Sequence, residues 1–313
     1  MSHRTVAVET AARLSVKHRQ LVISRDDGTA PTVPIEDMAL LVVDNPQVLY
    51  THAVLAALVD AKVATIVCGA DHMPAGLLLP YAGNVLAGER LRSQLACSRP
   101  LAKRLWQAVV AAKIRRQADL LVRATGSDAG LRALANRVRS GDPDNLEAQA
   151  AQRYWPRLFG AGFRRDRAGD SPNNLLNYGY AILRAATARA LVGAGLHAGV
   201  GLFHSNRGDA FALASDMMEP FRPFLDGVVW ELWVAGMAAS EIDRLRKAHL
   251  LAVLNLPVAV EGQGLPLLLA LQRAATSLSE SFGDRKNRLR LPEGPAGLPA
   301  SEGEGDATAT APA

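Results

Sequence analysis

The feature that most constrains this chain is a change of hydrophobic period along its length. Up to Cys68 the apolar residues come in short alternating or β-branched runs, whereas beyond Gly88 they recur at spacings of three and four as far as Phe282. A period near two is that of half-buried strands, and a period near 3.6 is that of helices facing a core. An α+β fold is therefore predicted: a small N-terminal β domain followed by a larger all-helical C-terminal domain. In the first part Thr5–Val8, Arg13–Val16 and Gln20–Ile23 read as short strands, and Met38–Val43 and Val63–Cys68 as continuous apolar strands, with a short helix over Thr51–Leu58. Gly69–Gly88 holds Pro74, Pro80 and several glycines and reads as a hinge.

The resulting division is a β domain over 1–75, a linker over 76–88 and a helical catalytic domain over 89–290. Helical repeats run over Leu91–Leu95, Leu101–Leu121, Leu131–Val138, Leu146–Phe159, Leu175–Val192, Ala210–Phe221, Pro223–Val234, Ile242–Val253 and Leu265–Phe282. From Leu291 onward the chain is Pro, Gly, Ala, Ser, Thr and Glu with little to bury, so a disordered tail is predicted over 291–313. No stretch is long and apolar enough for a membrane span, and the N-terminus lacks a charged-then-apolar leader pattern. A soluble, cytoplasmic protein is expected. Cys68 and Cys97 fit neither a zinc spacing nor a disulfide framework.

Charge points to a polyanion. The stretch after Arg290 holds four acids and no base, so of 35 basic and 30 acidic residues, positions 1–290 carry 35 against 26, a net charge of +9. Such an excess favours nucleic acid, because neutralising phosphates releases condensed counterions.

Three places combine acids or histidine with strongly specified surroundings. In the first, Asp142 and Pro143 suit a helix start, and Glu147 follows on a face shared with Ala151, Tyr154 and Leu158. Asp144 and Glu147, three apart, could equally form a capping box. In the second, His204 ends an apolar run and is followed by Asn206 and Arg207, both able to contact phosphate; taken alone, the histidine could as well be a satisfied core or surface residue. In the third, Asp216 and Glu219 stand three apart near a helix end, which suits either a solvated terminus or a bound cation. Glu147, His204 and Glu219 together, with Asp216 beside them, make a plausible catalytic set for Mg²⁺ or Mn²⁺: hard oxygens plus one imidazole. Arg153, Arg164, Arg165, Arg184, Asn206 and Arg207 are the candidate DNA contacts.

At these residues the sequence resembles a known family. Val33-Pro34-Ile35-Glu36-Asp37, Met73 to Pro80, Gly141 to Ala151, Asn173 to Tyr180, Gly195-Leu196-His197 and Met218 to Pro223 resemble CRISPR-associated protein one, the adaptation integrase, in its type II form. The resemblance implies a metal-dependent DNA endonuclease and integrase. The 3′-hydroxyl of a short foreign DNA fragment would attack a phosphodiester at the CRISPR repeat, with metal held at Glu147, His204 and Glu219. It also implies a homodimer, the small CRISPR-associated protein two subunit as partner, and cooperation with the type II effector nuclease. Two departures stand out: Lys17-His18-Arg19-Gln20 where relatives carry an Asn-Gly turn, and Ser205 and Gly208 where bulkier residues are usual. A nonspecific metal-dependent nuclease and a non-catalytic DNA-binding scaffold are the alternatives. Because a metal ligand must be neutral imidazole, activity is expected to fall below about pH 6.5.

Overall fold

The alternating runs at the N-terminus fold as two small sheets. In a computed structural model, which describes residues 4–81, 83–204 and 208–295, the strands are β1 (Arg4–Val8), β2 (Arg13–Lys17), β3 (Gln20–Ser24), β4 (Thr32–Pro34), β5 (Met38–Val43) and β6 (Leu49–Tyr50). Helix α1 (His52–Asp60) then leads to β7 (Ala64–Cys68) and β8 (Pro74–Leu78). One sheet has the order β1-β5-β7-β8 and the other β4-β3-β2-β6. The β2–β3 hairpin turns through His18 and Arg19, both at positive φ (50° and 61°). These are the signs of φ that a type I′ turn demands, so the hairpin survives without the glycine that usually relieves them.

Strand β5 explains why its sequence is a continuous apolar run. All six residues are buried, because both faces of its sheet are covered. Met38, Leu41 and Val43 join the core of the β region, while Ala39, Leu40 and Val42 join Ala64 and Ile66 in the main core with the helices. The β region and the helical region therefore share a sheet.

The helical region comprises α2 (Ala87–Leu95), α3 (Arg99–Thr125), α4 (Leu131–Arg137), α5 (Leu146–Phe159), α6 (Asn173–Gly193), α7 (Ala212–Met218), α8 (Arg222–Val234), α9 (Arg244–Ala252) and α10 (Leu267–Asp284). Central to it is α3, started by Ser98, whose hydroxyl accepts from the Leu101 amide, and stopped by Gly126 at φ 78°. Its buried side chains lie all round the helix and include Leu105, Trp106, Val109, Lys113 and Gln117. None of the described helices is long and apolar enough to cross a membrane.

Three expectations need correction. Pro74–Leu78, expected to open a hinge, is an edge strand antiparallel to β7; a proline costs no ladder bond at a strand's first residue on an edge. The C-terminal part is not all helical, because β9 (Pro257–Val260) and β10 (Gln263–Pro266) form a hairpin where a loop and a helix start were expected. Glu261 and Gly262, both at positive φ, make its turn. Leu291–Pro295, assigned to the tail, belong to the folded body: β11 (Gly294–Pro295) pairs with β9, and the Glu293 carboxylate accepts from the amides of Glu261 and Gly262. Residues 296–313 of the expected tail lie outside the described residues.

Candidate metal centre

Glu147 enters the site from the first turn of α5. The preceding loop carries Gly141, Asp142 and Asn145 at positive φ, and the Asp142 carboxylate accepts from the Leu146 amide at 2.9 Å and the Glu147 amide at 3.0 Å. Asp142 thus takes the Glu147 amide that a capping box would have assigned to the Asp144 side chain. Asp144, the other member of that box, is turned away in a two-point pair with Arg139 at 2.8 and 3.0 Å. The Glu147 side chain is left free to face α3.

Glu219 sits in the single 3₁₀ turn, Glu219–Phe221, that joins α7 to α8, and is only 3% exposed. Between the two acids lies the ammonium of Lys113 from α3, with Nζ 2.6 Å from Glu147 Oε1 and 2.6 Å from Glu219 Oε2. The two carboxylate oxygens are therefore no farther apart than twice that distance, around one cationic atom. Glu219 Oε1 pairs with Arg222 Nη1 at 3.0 Å, one turn further on. Glu219 Oε2, buried from solvent, has the Lys113 ammonium as its partner.

Electrostatics follow from this packing. Burial pushes the Glu219 carboxyl up, but Arg222 and Lys113 outweigh it and hold the group below the usual carboxylate range. Burial pulls the Lys113 ammonium down, and Glu219 and Glu147 more than restore it, leaving it above its ordinary value. Two carboxylates, one lysine and one arginine give a locally neutral group.

His204 approaches from the loop before α7. Its Nδ1 hydrogen-bonds Asp216 Oδ1; with the carboxylate as acceptor the ring nitrogen is the donor, and in the neutral imidazole Nε2 then carries the lone pair. Asp216 is fully buried and also accepts from the amides of Leu202 (2.7 Å), Phe203 (3.0 Å) and His204 (3.4 Å). Asp216, expected among the catalytic acids, is thus placed behind the histidine, fixing its tautomer and the loop that carries it. The hydrogen bond from Asp216 raises the imidazole pKa against the opposing effect of burial, with Glu219 and Glu147 adding to the rise. The metal-free histidine therefore stays protonated to a higher pH than its ordinary value.

The three expected ligands therefore share one neighbourhood, but among the described residues no group of three His, Cys, Asp or Glu side chains already forms an ion-binding cluster. The donor set suits a hard divalent ion all the same: two carboxylates held around one positive charge, with an imidazole in their electrostatic reach.

Beneath the pair lies a second buried acid. Asp226 on α8 accepts from the hydroxyls of Tyr154 (2.8 Å) and Tyr180, and burial pushes its carboxyl up to about 6. The Arg222 guanidinium lies over the Tyr180 ring at 4.7 Å, linking this group to Glu219.

Of the expected DNA contacts, Arg153, Arg164 and Arg184 are exposed. Arg165 needs correction: its guanidinium donates to the Asp166 carbonyl and to the side chains of Asn173 and Asn177, so its donors anchor a loop. Asn206 and Arg207 lie outside the described residues. Sequence reasoning missed Lys113, although a signal existed: Val109, Lys113 and Gln117 recur at four on a helix whose neighbours at that phase are apolar.

Comparison with known proteins agrees with this architecture. The family profile described as CRISPR associated protein Cas1 matches residues 6–244. The CRISPR-associated endonuclease Cas1 of Neisseria meningitidis serogroup C (strain 8013) is 38% identical over 297 residues, covering 94% of this chain and 97% of that one. Among solved structures, a casposase bound to integration product superposes with a TM-score of 0.75 at 18% identity, covering 92% of each chain. A Cas6-RT-Cas1–Cas2 complex superposes at 0.72 and 18% identity, covering 93% of this chain and 36% of the longer one.

Proposed function

The chain belongs to the CRISPR associated protein Cas1 family, and on that footing we propose that it is a metal-dependent DNA endonuclease and integrase. It inserts short foreign DNA fragments into a CRISPR repeat array by 3′-hydroxyl transesterification. The observation that carries this reading is the convergence of Glu147 and Glu219 on one cationic atom, with His204 presented beside them. The names of the relatives support the reaction class: an endonuclease in one case, and a casposase bound to its integration product in another.

Glu147, His204 and Glu219 would hold Mg²⁺ or Mn²⁺, which when bound would supply Lewis acidity at the scissile phosphate and lower the pKa of the attacking hydroxyl. The chain's own residues prepare for it. Asp216 holds the Nδ1 proton and so leaves Nε2 as the nitrogen available to a metal once the ring is neutral. Arg222 holds Glu219 ionised within a buried setting. Lys113 stabilises the acid pair in the metal-free protein, and a metal ion held by the same two carboxylates would take over its charge. Water in place of the sugar hydroxyl gives strand cleavage with the same groups.

The partners proposed are DNA, the small CRISPR-associated protein two subunit, and a second copy of this chain, with the type II effector nuclease as a further collaborator. The Cas1–Cas2 complex among its structural neighbours supports the second of these. For self-association, eight of the thirteen exposed large apolar residues among those described fall between Leu49 and Leu95, so the apolar surface lies in the N-terminal third.

Strand transfer into a supercoiled repeat plasmid tests the reading. Product should require a divalent metal, a fragment with free 3′ ends and Glu219, and Glu219→Ala should lower the rate by about a thousandfold, since several kcal/mol of charge stabilisation is lost. Cleavage without joining would select the nonspecific nuclease. DNA binding indifferent to metal and to Glu219, with no reaction, would leave a scaffold.

A further inference from the structure

A half-exposed aromatic ring stands beside one of the proposed metal ligands. Phe203 is 52% exposed, yet its ring lies parallel to that of fully buried Trp106, 4.6 Å between centroids and 1° between planes. Both rings meet the His204 imidazole edge-on, Trp106 at 5.5 Å and Phe203 at 5.6 Å. The backbone is equally fixed, because the Phe203 amide donates to buried Asp216 at 3.0 Å. Trp106 is seated on α3, two turns before Lys113, so the same helix sets the ring and the acid pair.

One face of the phenyl ring is thus backed by Trp106, and the side chain is still half open to solvent beside a proposed metal ligand. If its task were only to shield Trp106, an aliphatic side chain would serve. A rigid, flat, half-open aromatic surface instead suits a flat partner, and nucleobases stack on aromatic side chains whatever their sequence. Bases inside a duplex are already stacked on both faces; an unpaired terminal base has a face free.

We propose that Phe203 is the stacking platform for an unpaired nucleobase at the reacting 3′ end of the DNA fragment, a positioning contact that holds the 3′-hydroxyl at the Glu147–His204–Glu219 centre. The proposal rests on the integrase reading above. The ring orders the terminal nucleotide before reaction, so its contribution is to fragment binding and KM more than to kcat.

The test is a cycle between ring and base. Binding of the full chain in Mn²⁺ is followed by fluorescence anisotropy, using fragments whose 3′-terminal nucleotide is intact or abasic, for wild type, Phe203→Leu and Phe203→Trp. Removing the base should weaken wild type about 5- to 150-fold. Phe203→Leu should bind both fragments alike, and Phe203→Trp should keep the full sensitivity. Equal sensitivity of wild type and Phe203→Leu would overturn the proposal, because independent losses simply add. A second measurement needs no variant: a 3′-terminal 5-iodouracil should photo-cross-link to Phe203, and a cross-link formed only elsewhere would overturn it too. Strand transfer by wild type, run in parallel, separates the two claims. Transfer without ring–base coupling removes the platform alone, whereas coupling without transfer removes the integrase reading and leaves Phe203 as a DNA contact.

Discussion

Two buried lysines in this protein are paired with carboxylates at nearly the same distance, and they differ in how many acids each one serves. Lys247 on α9 meets Asp44, just after β5, at 2.5 Å, and the other Asp44 oxygen takes His72 Nδ1 at 2.9 Å. Both oxygens of that carboxylate have donors, and the pair ties the helical region to the sheet across 203 positions of sequence. Lys113 instead stands between two carboxylates, each from a different element. A lysine with one acid makes a closed pair, whereas a lysine that gathers two acids holds them at the spacing that the proposed metal site would use.

The sharpest way to break this contrast is to remove each lysine. Lys247→Ala leaves Asp44 charged and buried, and should cost about 3–5 kcal/mol in denaturant unfolding, with no recovery on adding Mn²⁺. Lys113→Met should also destabilise the metal-free protein, because two buried acids then repel, but Mn²⁺ should restore most of the loss. Equal responses of the two variants to Mn²⁺ would erase the distinction.

Asp226 extends the comparison to a buried acid paired with phenols only, Tyr154 and Tyr180. Burial raises its carboxyl in the folded protein from an ordinary 3.8 to about 6. The folded state therefore binds the extra proton between those values, and stability from this group is present at low pH and lost as pH rises toward 6. The loss should reach up to about 3 kcal/mol in wild type and vanish in Asp226→Asn, measured as the difference between their unfolding free energies from pH 4 to pH 7. Parallel pH profiles would mean that Asp226 is already ionised at low pH.

A smaller effect is expected behind the histidine. Asp216→Asn keeps the shape but loses the charge that fixes the His204 tautomer, and should weaken Mn²⁺ binding about 10- to 100-fold in calorimetry. Unchanged affinity would separate Asp216 from the metal site and leave it as an anchor for the Leu202–His204 amides.

The sequence carried the outline of the fold because period two and period 3.6 are hard to confuse over whole segments. It misled where one signal has two physical meanings. Pro74 and Gly76 break helices, but they also suit an edge strand, which is what they form. Val258 to Pro266 read as a loop and the first turn of a helix, although Glu261-Gly262 is a hairpin turn. At the site, Glu147, His204 and Glu219 were legible from resemblance more than from spacing, since each alone fits a cap, a core histidine or a helix end. Lys113 was hidden because a lysine in a long helix reads as surface, and only the apolar phase around it says otherwise. The roles of Asp142 and Asp216 depend on which amides their carboxylates reach, and those contacts exist only in the folded chain.

The central claim is that three side chains far apart in sequence hold one divalent ion in place of Lys113. Calorimetric titration of the metal-free full chain with Mn²⁺ tests it most directly, comparing wild type with Glu147→Ala, His204→Ala and Glu219→Ala. A single ion per chain, bound at least about tenfold more weakly in every variant, is the expected result. Undiminished affinity in any one of the three would contradict it.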